Sequence, residues 1–161
     1  MLRRSLLALV ILAMLPAAAL AEPFTAYGPQ FGFTSGPDQF AVGGHLKWGG
    51  VAPSLDFVPG VDVAFGNDLT VVSLNGDFHY RLDTRTQWRP YLGGGVGIHF
   101  VSYDNNSGPG SDNSDTVTGG AFIAGADVLA KNGSRFFTEL KLGFSDSPDM
   151  KVMAGFNFKA R

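Results

Sequence analysis

Cysteine is absent from this 161-residue chain, which excludes a small scaffold held together by disulfides. Charge is scarce and of no dominant sign. The 12 Lys and Arg stand against 14 Asp and Glu, so the chain is not a basic nucleic-acid binder. No apolar run is long enough to cross a bilayer as a helix: the stretch from Leu6 to Leu15 falls well short of the roughly 20 residues required. Helical periodicity is missing too, because nothing after residue 21 repeats apolar side chains at i, i+3 and i+4. What the chain has instead is glycine, 22 residues of it, and phenylalanine, with 14.

The apolar run has its own meaning. Arg3 and Arg4 precede it, and Ala17-Ala18-Ala19-Leu20-Ala21 follow it ahead of Glu22-Pro23. A basic start, a short apolar centre and a small-residue stop are the pattern of an export signal, with cleavage expected after Ala21. Residues 1–21 then form the leader and 22–161 a single domain. The leader carries two basic residues and none of the acidic ones, so the remainder is more acidic than the whole. Export also excludes a cytosolic enzyme.

Beyond the leader, apolar and polar residues alternate at period two, the signal of strands with two unlike faces. Eight such segments are expected, at about 27–33, 39–48, 54–65, 71–82, 88–100, 121–128, 136–144 and 150–159. Turn residues separate them: Ser35-Gly36-Pro37-Asp38, Gly49-Gly50, Gly66-Asn67-Asp68, Asp83-Thr84, Asn132-Gly133 and Asp146-Ser147-Pro148-Asp149. The one long connection runs from Asp104 to Asp115 and is polar. Pro29, Pro59 and Pro90 fall within segments, where each removes a ladder donor; Pro90 lies near a rim, and a bulge is expected at Pro59.

Eight antiparallel strands close a barrel in two opposite ways, with the apolar face inward around a ligand or outward toward lipid. One face carries Lys47, Asp56, Asp62, Asp77, Arg81, Arg89, Asp127, Glu139, Lys141 and Lys151, balanced between the two signs. The other carries nearly all the large apolar side chains and no charge. Volume decides between the two. An eight-strand interior holds little beyond its own side chains, too little for that many Phe, Trp, Tyr, Leu, Val and Ile groups. Gly, Ala and Ser on the charged face suit a crowded interior, so the expected fold is all-β: an eight-stranded antiparallel up-and-down transmembrane β-barrel.

The aromatic positions fit this arrangement. Trp48, Tyr80, Trp88, Phe136 and Phe158 fall near one rim, expected to be periplasmic, and Phe33, Phe40, Phe65, Phe100 and Phe144 near the outer one. Two such girdles flank the lipid band of outer-membrane barrels. From Trp88 to Phe100 the chain rises about 30 Å at a tilt of about 40°, near the thickness required. The outer loops hold Asp38, Asp68, Asp104, Asp112, Asp115, Asp146 and Asp149 and no basic residue. The inner side holds Arg85, Lys131, Arg135, Lys159 and Arg161 against Glu22 and Asp83. Two readings of the aspartates stand: plain loop solubility, or divalent cations shared with anionic lipopolysaccharide headgroups.

Two segments carry a family resemblance. The strand Arg89-Pro90-Tyr91-Leu92-Gly93-Gly94-Gly95-Val96-Gly97 and the alternating last strand ending Phe156-Asn157-Phe158 resemble the small eight-stranded outer-membrane β-barrels of the OmpA/OmpX and opacity-like type. The resemblance spans Tyr27 to Lys159. It implies residence in the bacterial outer membrane, contact with its lipid and lipopolysaccharide, and reading of the last strand by the outer-membrane assembly machinery. Lys159-Ala160-Arg161 follow that strand, which departs from the family's terminal aromatic. The group includes adhesins, lipid-modifying enzymes and passive barrels, so it names a class and not a task.

No catalytic or metal site is expected, and no cofactor. The lipid A deacylases of the group carry His-x-Ser with a Glu, and none of His45, His79 and His99 has Ser two positions on. Asp62, Ser73 and His99 fall close together on the interior face, as a hydrogen-bonded network away from lipid. The segment from Asp104 has Pro109 where a calcium loop needs glycine and Asp115 where it needs Glu. The small interior residues Gly43, Gly60, Gly93, Gly95, Gly97, Gly119, Gly125, Gly143 and Gly155 either relieve crowding or leave a thin water path. The favoured reading is a non-enzymatic barrel with a structural or surface role, against a narrow, porin-like transport channel, a lipid A-modifying enzyme, or a soluble ligand barrel turned inside out. Gel migration with and without boiling separates the last of these. A lipid-facing barrel folded in detergent is expected to shift on boiling; an unshifted, periplasm-soluble protein would mean that the apolar face points inward.

Overall fold

The computed structural model describes residues 24–66, 68–103, 114–130 and 133–160. The leader 1–21, the polar stretch 104–113 with Asp104 and Asp112, Glu22, Asn67, Lys131, Asn132 and Arg161 lie outside the described residues. Eight strands are formed: β1 (Ala26–Ser35), β2 (Gln39–Ala52), β3 (Leu55–Gly66), β4 (Leu69–Arg81), β5 (Trp88–Tyr103), β6 (Ser114–Leu129), β7 (Arg135–Ser145) and β8 (Met150–Lys159). Each pairs antiparallel with its neighbour in sequence, and β8 returns to β1, so the sheet is a closed eight-strand antiparallel barrel.

Period-two alternation is what gives the strands two environments. Along β8, Lys151, Met153, Gly155 and Asn157 are buried while Met150, Val152, Phe156 and Phe158 are exposed. In β4, Val71, Ser73, Asp77 and His79 are buried between exposed Leu74, Phe78 and Tyr80. The burial pattern is inverted relative to a water-soluble protein. Phe122 is 68% and Phe33 64% exposed, whereas Asp56 and Asp62 are each 1% exposed. An apolar belt outside and charge inside is the arrangement of a barrel solvated by lipid.

β5 and β6 are longer than the alternation suggests. Their hairpin continues upward through Phe100 opposite Thr116, Val101 opposite Asp115 and Ser102 opposite Ser114. Asp115 is therefore a strand residue and not part of the loop. Apart from half-buried Val101 and Val117 the extension is largely polar or exposed, so the alternation that marks a half-buried strand is weak there although the backbone ladder persists.

The bulge also lies elsewhere than expected. β3 holds its register with β4 straight through Pro59, which faces Gly76. The shift falls in β2 between Trp48 and Ala52, where Gly50 adopts a φ of 84°. The Gly49-Gly50 pair thus bends a strand that runs on to Ala52, and the turn comes at Pro53-Ser54. The prolines still leave a mark on the ladders. β2 and β3 show no pairing between His45–Gly60 and Trp48–Phe57, beside Pro59; β1 and β8 show none between Tyr27–Phe158 and Gln30–Gly155, beside Pro29. A proline has no N–H to give.

Closure brings β1 and β8 very near each other. A Cβ placed on Gly28 would run into the Phe156 carbonyl, and one on Gly32 into that of Val152. Neither obstacle is a side chain that can swing away. Outward-facing Gly44 is different, because a Cβ there meets its nearest neighbour, the Gly28 carbonyl, at an ordinary 3.5 Å. Gly28→Ala is expected to lower unfolding stability by about 1–3 kcal/mol through overpacking. Gly44→Ala should stay within about 0.5 kcal/mol of the wild type. The urea midpoint of the fast-migrating band on unboiled gels measures both.

Candidate functional site

The chemistry-bearing side chains are in the barrel interior, arranged in levels between the end with Ala26 and Lys159 (the termini end) and the loop end. Every second residue of each strand points inward, so the level of a charge is set by its place along the strand and its partner by the register.

At the termini end Lys47 Nζ lies 3.1 Å from Asp56 Oδ2 and 3.8 Å from Asp127 Oδ2. Arg81 Nε is 3.3 Å from the same Asp56 oxygen, and Arg135 pairs with Asp127 Oδ1. Arg89, opposite Asp127 in the β5–β6 ladder, is exposed at the rim. Arg135 was assigned above to the inner loops, but it is the first residue of β7 and shares inward parity with Phe137, Glu139 and Lys141. Starting that strand one residue earlier would have identified it.

The middle level is the most densely bonded. The Tyr91 hydroxyl donates to Glu139 Oε2 at 2.9 Å, and the Tyr91 ring stacks on His79 at 4.5 Å with 12° between planes. His79 Nε2 lies 3.7 Å from Glu139 Oε2. The Lys141 ammonium donates to Asp77 Oδ2 and sits 3.4 Å from Glu139 Oε1. Asp77, His79 and Glu139 offer ligand atoms within 4.8 Å of one another, the spread of a metal site, but the cation among them is the protein's own lysine. His45 Nε2 is hydrogen-bonded to Asn157 Oδ1 at 2.7 Å, and its ring meets Phe137 edge-on. A cavity of about 20 Å3 remains at this level, bordered by His45, Asp77, Tyr91, Glu139 and Lys141. That is room for roughly one water molecule.

Nearer the loop end, Asp62 accepts from Lys151 Nζ at 2.5 Å and from Asn75 Nδ2 at 2.7 Å. His99 Nδ1 and Ser73 Oγ are hydrogen-bonded at 2.9 Å, and His99 Nε2 reaches Ser147 Oγ at 3.4 Å. Register makes Asp62, Ser73 and His99 neighbours. Both Asp62 oxygens are held by other groups and the second His99 nitrogen faces a serine, so the three do not form a relay. Ala41, Ala64, Val71 and Met153 pack above as an apolar layer, with Leu69 and Val101 against it.

Apart from Tyr91 and Phe137, the aromatic residues are on the outside. Toward the loop end Phe33, Phe40 and Phe65 make a chain of edge contacts at 5.3 and 5.6 Å, and Phe144 lies against Phe122. Exposed Phe100 is on the same half of β5. Toward the termini end Trp48 stacks on Phe57, Phe136 meets Phe156, and Phe158 lies between Tyr27 and Phe156. Tyr80 and Trp88 are each about half exposed there.

No family model and no curated protein matches this chain. Solved structures do. Neisserial surface protein A is similar at a TM-score of 0.67 and 16% identity, over 85% of this chain and 96% of that one. The N-terminal β-barrel domain of Pseudomonas aeruginosa OprF is similar at 0.58 and 15%, over 85% and 98%. The Yersinia pestis outer membrane protein Ail is similar at 0.53 and 11%, over 84% and 99%. The shared feature is the fold of small eight-stranded outer-membrane barrels.

Lys141 holds two carboxylates in a space that water scarcely enters. Lys141→Met is expected to cost about 3–5 kcal/mol, since Asp77 and Glu139 would be left as buried, unpaired charges. Adding Asp77→Asn and Glu139→Gln should restore much of that loss. Urea titration of the three proteins in one detergent tests the pair of expectations; a triple variant as weak as the single one would locate the damage in packing and not in charge.

Proposed function

We propose that this chain is a non-enzymatic barrel of the bacterial outer membrane, exported with loss of residues 1–21, whose interior is closed by ion pairs. Its role is structural or one of surface interaction. The observation that carries the reading is the inversion of burial: a continuous apolar exterior around a charged, internally bonded core. Such a surface is stable in lipid, where the closed ladder also satisfies the backbone.

In this reading the termini end faces the periplasm and the loop end faces outward. Asp38, Asp68, Asp146 and Asp149 are in the turns of the loop end, and Asp115 is on the hairpin extension there. They meet lipopolysaccharide, with divalent cations bridging the like charges. Membrane lipid contacts the Phe, Leu and Val belt, and the assembly machinery reads β8. Catalysis is disfavoured because Ser73 and His99 face the interior, away from any acyl chain. Conduction is disfavoured because Lys141, Glu139, Asp77, Lys151 and Asp62 bond across the lumen at two successive levels.

Reconstitution in planar bilayers is expected to give no discrete conductance steps. The lipid A mass spectrum of cells expressing the protein is expected to match that of cells without it. Reproducible steps that Lys141→Met alters would replace this reading with a narrow channel, and a new lipid A mass would replace it with an enzyme.

A further inference from the structure

The termini end of the barrel is a basin of about 310 Å3 that the levels above do not fill. Its charge is one-sided. Among the described residues Lys47, Arg81, Arg89, Arg135 and Lys159 line it, against Asp56 and Asp127. The two carboxylates are already engaged, Asp56 by Lys47 and Arg81 and Asp127 by Arg135 and Lys47. Arg89 and Lys159 have no ion-pair partner among the described residues. Arg135 Nη2 is buried without a hydrogen-bond acceptor, while Arg81 Nε lies against Asp56 Oδ2 at 3.3 Å. Buried donors are ordinarily satisfied, and a surplus of three positive charges in a recess with low-dielectric walls concentrates anions.

We infer that this basin is a binding site for a phosphoryl group. Guanidinium forks match the tetrahedral oxygens of phosphate with paired, charge-assisted hydrogen bonds, and the lysines add point charges to a group that carries up to two negative ones. The basin has room for more than a lone carboxylate. Arg89, which lines the basin, is itself exposed at the rim, and its neighbour Trp88 is exposed on the outer surface. The phosphoryl group can thus come from free phosphate or diphosphate in solution or from a phospholipid headgroup at the rim. The site goes beyond the proposed envelope role; only its lipid source rests on that reading, since the basin itself is built from the barrel's own side chains.

The test is calorimetric titration of the protein, purified from membranes in an uncharged detergent and phosphate-free buffer, with inorganic pyrophosphate. Saturable one-site binding that weakens with added salt is expected. Arg89→Gln and Lys159→Gln should each weaken it about tenfold, the loss of one charge-assisted contact. Neither residue holds the fold through an ion pair, and the boiling-dependent gel shift verifies that each variant is folded. If Arg89→Gln fails that check, Arg89→Lys takes its place, with a smaller loss expected because the charge stays and the fork goes. A second arm repeats the titration in micelles doped with phosphatidic acid. Competition there identifies the lipid headgroup as a ligand of the site, and undiminished pyrophosphate binding identifies the free anion. Absence of saturable binding in plain micelles, or variants that bind as tightly as the wild type, overturns the inference. Neither result would bear on conductance or on location in the envelope.

Discussion

The backbone has to be satisfied without water, and everything else in this barrel is arranged around that requirement. In a hydrocarbon layer an open sheet edge would leave a row of N–H and C=O groups unpaired, so the first and last strands must meet. Here β1 and β8 do so from Ala26 opposite Lys159 to Ser35 opposite Met150, with a lapse only beside Pro29. The seam is also where Gly28 and Gly32 let the strands approach at the cost of side-chain volume. Once closure is imposed, eight strands define a narrow tube, and the residues inside it have to fit one another.

What fits inside is a set of charges that would be prohibitively costly one by one. Their stabilisation is mutual: each carboxylate in the middle and upper levels is held by a cation or by polar hydrogens from a strand across the lumen. Lys141 stands between Asp77 and Glu139, and Lys151 and Asn75 together satisfy both oxygens of Asp62. Breaking one member strands the others, which is why such networks are weak evidence of high stability but strong evidence of specific pairing. The same bonds that neutralise the interior also fill it. Crossing the lumen would mean opening charge pairs beside a cavity with room for about one water molecule.

The levels are not equivalent. Toward the loop end the carboxylates find partners and the lumen ends in an apolar layer. Toward the termini end cations outnumber carboxylates and the packing loosens into a basin. On the outer surface Phe pairs occur toward both ends, while both Trp residues, Trp48 and Trp88, are toward the termini end. A tube with one tightly bonded end and one cationic mouth is asymmetric in what it offers to the two sides of a membrane, whatever passes or fails to pass through it.

Much of this was legible from the chain alone. Alternation at period two identified eight strands and separated the charged face from the apolar one, because a side chain's face depends only on its parity along the strand. Counting large apolar groups against the volume of an eight-strand interior then oriented the faces. Where polar residues dominate, as in the β6 half of the β5–β6 extension through Asp115, the same signal weakened and the strand was read too short. Parity also could not place Arg135, one residue before the alternation becomes evident, or move the bulge from Pro59 to the Gly49-Gly50 pair. The pairing itself was beyond reach: Lys151 and Asp62 are 89 positions apart, Lys141 and Asp77 are 64 apart. Composition and periodicity act within a strand, and so they determined class, faces and the sign of the interior. Which charge meets which, and where the basin opens, depends on register around a closed ring, a property no single segment contains, and only the tertiary structure decided it.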